Sequence, residues 1–262
     1  MKVRYEDHMG SDLKVVNMAR VSFDKRSEYN YDIEGTNHRL SIQDKSLIQF
    51  LARGCTSGDW DKTLYALQAE MVYGDSLDEA RHMVNHIRRM PPHWTPFAHC
   101  QVTLHLKVPI FVARQLDKHQ VGFVKSEVSR RYITSEPEFY RPSLGEGKGH
   151  AWRKAATDVK QGSSDELVDF SVWGQELDLG GYEALKVYKA LLEEGCCPEQ
   201  ARMVLPQSMY TEFFLTGSLY GWANMFIQRS DPHAQKETRE VAKQISEIIE
   251  PLFPESWKAL TQ

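Results

Sequence analysis

Between Val102 and Val108 the chain alternates strictly, with Val102, Leu104, Leu106 and Val108 apolar and Thr103, His105 and Lys107 polar between them. Successive side chains of a strand point to opposite faces, so this run reads as a strand with one face in a core and the other open. Pro109 follows at once. A proline is tolerated where a helix begins, because the N–H it lacks has no partner there, and a helix is expected from Pro109 to about His119. A half-buried strand feeding a helix fits a mixed α and β fold.

Further helices are expected around it. Ser41 and Asp44 stand at capping-box spacing, with Asp in place of the usual Glu, ahead of Leu47, Ile48, Phe50 and Leu51, and Gly54 stops the run. Ser76 to Met90 repeats the pattern, with Ser76 and Glu79 as the box, a stripe of Leu77, Ala80, Val84 and Ile87, and Pro91-Pro92 as the terminator. Tyr182 to Glu194 is a helix ended by Gly195. The last long helix is expected to take Asp231 as N-cap and Pro232 as its first residue, burying Val241, Ile245, Ile248, Ile249 and Leu252. Between Ser143 and Gly181 no period persists and Gly, Ser, Lys and Asp accumulate, as in a surface insertion. With 262 residues and no internal repeat, one compact domain over 1–262 is expected.

Composition narrows the function classes. Hydrophobic residues at 41% and charged residues at 26% suit a soluble globular chain, not collagen, coiled coil or wholesale disorder. Lys and Arg total 32 against 36 Asp and Glu, a net −4, which argues against general nucleic-acid binding. The opening MKVRYEDHMG lacks the apolar core of a signal peptide. The greasiest stretch, Phe213 to Ile227, is broken by Thr216, Gly217, Ser218, Gly221 and Asn224 and is too short to span a bilayer, so no membrane partner is expected. The cysteines Cys55, Cys100, Cys196 and Cys197 form no C-x-x-C pair, which points to reduced thiols in a cytoplasmic protein.

The densest polar run is Arg114 to Tyr132, with Arg114, Lys118, Lys125, Arg130 and Arg131 against Asp117 and Glu127. Its S-R-R-Y tail offers a hydroxyl, successive backbone N–H groups and a guanidinium fork, which suit a phosphate dianion; a solvated loop is the plainer alternative. Arg202, beside Met203, Val204 and Leu205, and Arg229 need either a carboxylate or an anionic ligand. His233, next to a helix start, reads most simply as a capping or packing residue. His82 and His86 are spaced i,i+4, but Met83, Val84 and Asn85 between them exclude H-E-x-x-H, and no metal site is expected. No P-loop, dinucleotide fingerprint or G-x-S-x-G elbow occurs.

Together VVNMARVSF (Val15–Phe23), HWTPFAH (His93–His99) with PIFVARQ (Pro109–Gln115), EVSRRY (Glu127–Tyr132), and EQARMVLP (Glu199–Pro206) with RSDPHAQ (Arg229–Gln235) resemble the flavin-dependent thymidylate synthases over most of the chain. The resemblance implies an α+β fold with a central, largely antiparallel sheet flanked by helices, here carrying insertions at about 54–89 and 143–181. It implies methylation of dUMP to dTMP, with methylenetetrahydrofolate as carbon donor, reduced FAD as hydride source and NADPH reducing the flavin. Such chemistry belongs to cofactors, while the protein positions and polarises. By carry-over, Arg229 is the catalytic residue, lying against the uracil ring. Ser129, Arg130, Arg131 and Arg202 hold the 5′-phosphate, and Gln115 and Glu127 complete the nucleotide site. Ser22, Thr95, Lys118, His119, Gln120, Val121, Ser218, Asn224 and His233 line the flavin, and His93 faces flavin or folate. A homotetramer with shared sites is also implied.

The departures cluster on the flavin side. The family's R-H-R followed by seven residues and a Ser is here Lys118-His119-Gln120, then eight residues, then Ser129; its E in H-x-T-P-F-E-H is Ala98, and an Asn and an Arg of its C-terminal block are Ser218 and Tyr220. Lysine is a point charge and not a planar fork, so flavin binding weaker than the family norm is expected. Two alternatives remain open at this point: a hydroxymethyl product in place of a methyl one, and a nucleotide-binding relative without catalysis.

Overall fold

The computed structural model of the chain describes residues 1–31, 38–54, 57–73, 78, 81–82, 84–85, 91–142, 151–157, 162–168 and 181–262. In chain order the elements are β1 (Lys2–Met9), α1 (Asp12–Arg20), the short strands β2 (Asn30–Tyr31) and β3 (His38–Arg39), α2 (Ile42–Arg53), α3 (Ser57–Tyr73) and α4 (Thr95–Ala98). Then come β4 (Gln101–Pro109), α5 (Ile110–Leu116), β5 (Phe123–Glu127), β6 (Arg153–Ala155), β7 (Ser163–Leu167), α6 (Tyr182–Glu193) and α7 (Pro198–Ala201). The last are β8 (Tyr210–Ser218), α8 (Leu219–Ser230), α9 (Lys236–Ile249) and α10 (Pro254–Thr261). The chain divides into two compact units: Met1–Asp7, Thr103–Gly217 and Met225–Ile248 form one, and His8–Val102, Ser218–Asn224 and Ile249–Gln262 the other.

The first unit is built on a four-stranded antiparallel sheet in the order β1-β4-β8-β5. The alternation in β4 is realised: Leu104, Leu106 and Val108 are fully buried, while Thr103, His105 and Lys107 lie on the more open face. β8 does the same, burying Thr211, Phe213 and Leu215 and turning Glu212, Phe214 and Thr216 outward. Thr103 and Thr216 join their hydroxyls at 2.9 Å on that face. β5 runs antiparallel to β8, with Phe123 opposite Gly217 and Glu127 opposite Phe213. A Cβ at Gly217 would collide with the Phe123 ring, so only glycine fits that register.

Three expectations about helices change. Pro109 caps α5 and the helix stops at Leu116, short of His119, because the chain must turn through Asp117–Gly122 into β5. The last long helix begins at Lys236 and not at Pro232. Asp231 instead accepts the His233 N–H on its carboxylate (2.8 Å) and the Ala234 N–H on its carbonyl (2.9 Å), closing a separate turn. In α9, Val241 and Ile245 are buried, whereas Ile248 is only half-buried. The 143–181 insertion contains regular structure, since β6 and β7 pair antiparallel with Arg153 opposite Leu167. Its residues 143–150, 158–161 and 169–180 lie outside the described residues. The apolar stretch from Phe213 is split between β8 and α8, and among the described residues no helix is long and apolar enough to cross a membrane.

In the second unit the capping signals work as read. The Ser41 hydroxyl accepts the Asp44 N–H at 3.1 Å and donates to the Asp44 carboxylate at 2.8 Å, and Gly54 closes α2 in the left-handed region. Asp44 also receives the Arg20 guanidinium at 2.6 Å and the Ser27 hydroxyl at 2.8 Å. Buried Asp12 accepts the backbone N–H groups of Glu255 (2.8 Å) and Ser256 (3.0 Å), capping α10 from a distant part of the chain. The 54–89 insertion contains α3. Of the expected Ser76–Met90 helix, residues 78, 81–82 and 84–85 are helical; its caps and His86 lie outside the described residues.

Candidate active site

Within the sheet-based unit a cavity of about 1060 Å³ opens beside β4, β5 and β8. Four residues singled out in the sequence share its wall: Glu127, Ser129, Arg130 and Arg202. β5 delivers Glu127 at its last position, and the turn after it presents Ser129 and Arg130. That turn is closed by the Tyr132 N–H on the Ser129 carbonyl (3.1 Å) and the Arg131 N–H on the Ser129 hydroxyl (3.3 Å). Arg202 comes from the short turn after α7.

Charge accounting shows where an anion fits. The wall also carries Glu136, Glu138, Glu212, Lys107 and His105. Glu136 is paired with Lys189 at 2.8 Å, and Lys107 holds both Glu138 (2.6 Å) and Glu212 (3.2 Å). Arg202, in contrast, donates only to the Glu199 carbonyl at 3.3 Å and has no carboxylate partner among the described residues. Arg130 likewise donates to a carbonyl, that of Ser135, at 2.5 Å. Two guanidinium charges beside a hydroxyl are therefore left without a carboxylate among the described residues, an arrangement that suits a phosphate dianion. The internal salt bridge considered for Arg202 does not form among the described residues.

Arg131 is not on the cavity wall; it pairs with Glu199 at 3.3 Å on the surface. Gln115 is held by two neighbours, donating to Gln235 at 2.6 Å and accepting from Thr238 at 3.0 Å. Arg229, on the last turn of α8, donates from Nε to Nε2 of His119 at 2.9 Å and has no carboxylate partner among the described residues. Burial, and then the Arg229 charge, lower the His119 pKa. Lys118, Gln120 and Val121 lie exposed on the same turn, and His233 is exposed on the turn before α9.

The other flavin candidates belong to the second unit. Ser22 sits exposed in the turn Val21–Phe23, and Thr95 opens α4. His93 packs its ring on Phe50 at 5.1 Å. Ser218 is buried with its hydroxyl on the Gly221 N–H at 3.1 Å, and Asn224 is half-buried on α8. In the first unit the turn after α5 fits a flavin by itself: Lys118 carries an unpaired charge among the described residues, and Val121 is 92% exposed and offers apolar surface to a ring system.

The sequence reading missed the lysine that organises Glu127. Lys125 bridges Glu127 at 2.8 Å and Asp117 at 2.9 Å and lies 4.2 Å from the Phe213 ring centroid. Burial would lower its pKa, but its bonds to Glu127 and Asp117 prevail and raise it. The alternation of β4 already marked His105 and Lys107 as open-face residues; what it could not show is the cavity they border. Cys100, Cys196 and Cys197 are free thiols, and burial pushes Cys100 up to about 11.

The fold is shared with a solved nucleotide methylase. The crystal structure of the UMP/dUMP methylase PolB from Streptomyces cacaoi bound with 5-Br dUMP superposes with a TM-score of 0.66 over 99% of this chain and 94% of that one, at 23% identity. The family described as thymidylate synthase complementing protein matches residues 5–255. A flavin-dependent thymidylate synthase of Thermus thermophilus is 33% identical over 260 residues, 99% of this chain and 75% of the relative. One of Thermosipho africanus is 37% identical over 172 residues, 64% of this chain and 71% of the relative. The chain belongs to the flavin-dependent thymidylate synthase family.

Proposed function

We propose that the protein methylates dUMP to dTMP, using methylenetetrahydrofolate as carbon donor and FAD as redox cofactor, with NADPH as reductant. The observation that carries the reading is the cavity whose wall Ser129, Arg130 and Arg202 share, Arg202 having no carboxylate partner among the described residues. These three take the 5′-phosphate together with Arg131, once it leaves Glu199, and Glu127 and Gln115 orient the nucleoside. Arg229 lies against the uracil ring, where a fixed cation stabilises negative charge developing on the carbonyls. FAD, when bound, supplies hydride. Lys118, His119, Gln120, Val121 and His233 hold it, together with Ser22, Thr95, Ser218 and Asn224, and His93 faces flavin or folate. The protein works as a cytoplasmic homotetramer.

Relatives named as thymidylate synthases support a methyl and not a hydroxymethyl outcome. The decisive assay supplies dUMP, methylenetetrahydrofolate, FAD and NADPH and weighs the nucleotide by mass spectrometry. Gain of one methyl group is expected; a hydroxymethyl product, or unchanged dUMP with bound nucleotide, would replace this reading.

A further inference from the structure

His119 stands in the turn after α5, its backbone N–H tied to the Leu116 carbonyl at 3.0 Å. Its Nε2 accepts from Nε of Arg229 at 2.9 Å. An acceptor nitrogen needs a free lone pair, so the ring proton must sit on Nδ1 and the ring must be neutral. An imidazolium has no such lone pair and would repel the guanidinium. Among the described residues no carboxylate pairs with Arg229, and the nearest in sequence, Asp231, is engaged by the His233 N–H at 2.8 Å. A carboxylate in place of His119 would orient Arg229 and cancel its charge together. A neutral imidazole orients it and leaves the charge whole.

We propose that His119 is a positioning residue for Arg229, gripping the guanidinium by its Nε so that both terminal nitrogens stay free for the substrate ring. This rests on the reading of Arg229 as the group that polarises uracil, and it gives His119 a task separate from lining the flavin. The lowered pKa of His119 keeps the ring in its accepting form at neutral pH.

Two measurements on the flavin-loaded protein test it. Long-range nitrogen–proton NMR should find His119 as the neutral Nδ1–H tautomer at neutral pH, and Arg229→Lys should shift its Nε2 resonance. An Nε2–H tautomer or an imidazolium overturns the contact, whatever the activity. In kinetics, His119→Phe removes the acceptor and should lower turnover on the order of 10- to 100-fold through misplacement of Arg229. Calorimetric dUMP affinity should change far less, and His119→Gln, whose amide oxygen accepts, should recover part of the turnover. Normal turnover in His119→Phe beside a collapse in Arg229→Lys overturns the positioning role and leaves the proposed function standing. Normal turnover in Arg229→Lys overturns the positioning role and the catalytic reading of Arg229 together, and leaves the proposed function standing. A protein with the expected tautomer and shift that makes no thymidylate supports the contact and sinks the catalytic reading alone.

Discussion

The Thr211 hydroxyl donates to the Glu127 carboxylate at 2.5 Å across the seam where β5 pairs with β8. Lys125 reaches the other oxygen of the same carboxylate at 2.8 Å. Glu127 thus enters the cavity wall already oriented from two sides, by a buried hydroxyl and a cation. Thr211→Val keeps the shape and removes the donor, which should cost about 1 kcal/mol of stability. Because Glu127 then loses one of two tethers, the dUMP KM should rise several-fold with a smaller change in kcat. Unchanged KM in Thr211→Val would show that Lys125 alone suffices, or that Glu127 does not meet the nucleotide; Lys125→Met separates the two.

The phosphate residues should not contribute equally. Arg202 has no carboxylate partner among the described residues and lines the cavity, whereas Arg131 is engaged by Glu199 at 3.3 Å and stands off the wall. Arg202→Ala should weaken dUMP binding by roughly 1.5–3 kcal/mol, the range for a charge-assisted contact. Arg131→Ala should cost clearly less. Calorimetry on both variants decides it, and equal losses would mean that Arg131 leaves Glu199 without cost when nucleotide binds.

Local signals were legible where one short window holds all the physics. The period of β4, the Ser41–Asp44 box and Gly54 needed only neighbours, and each element formed as read. The start of α9 was misread because Asp-Pro also suits a turn, and the Asp231 carboxylate closes one onto His233. The site was legible as residue types. Arg131 and Arg202 both looked like phosphate forks, and only the position of Glu199 separates them. His119 holding Arg229, 110 residues away in sequence, could not be seen in any window.

Acid should unfold the second unit through Asp44. Burial would raise its pKa, but bonds from Ser27, Ser41 and Arg20 prevail and lower it from the usual 3.8. A depressed carboxylate contributes stability that is complete above the unfolded value and is lost as pH falls through the folded one. The loss therefore falls below about pH 3.8. Asp12 has the opposite sign: burial raises its pKa, so protonation favours the folded state there. Asp44→Asn should cost roughly 1.5–3 kcal/mol at neutral pH, since it weakens the charge-assisted bonds from Arg20, Ser27 and Ser41. Urea melts at several pH values should show a flatter acid limb in the variant, and parallel limbs would rule Asp44 out as the acid trigger.

The hairpin of the second insertion should matter for nucleotide binding as well as for stability. Arg153 on β6 approaches the Glu237 carboxylate at 3.5 Å, with side chains 9% and 7% exposed, and Tyr140 donates to the same carboxylate at 3.2 Å. Burial would raise the Glu237 pKa, but its own backbone N–H, Arg153, Gln235 and Tyr140 prevail and lower it. Gln235 also accepts from Gln115 at 2.6 Å, so the inserted strand is linked through α9 to a residue assigned to the nucleotide. Arg153→Met leaves a buried carboxylate without its cation and should destabilise by roughly 3–5 kcal/mol. Adding Glu237→Gln removes the stranded charge and should restore most of the melting temperature. If the link to Gln115 transmits position, the dUMP KM should stay raised in the double variant, because Arg153 no longer fixes the start of α9. A double variant with both melting temperature and KM restored would reduce the hairpin to a packing element.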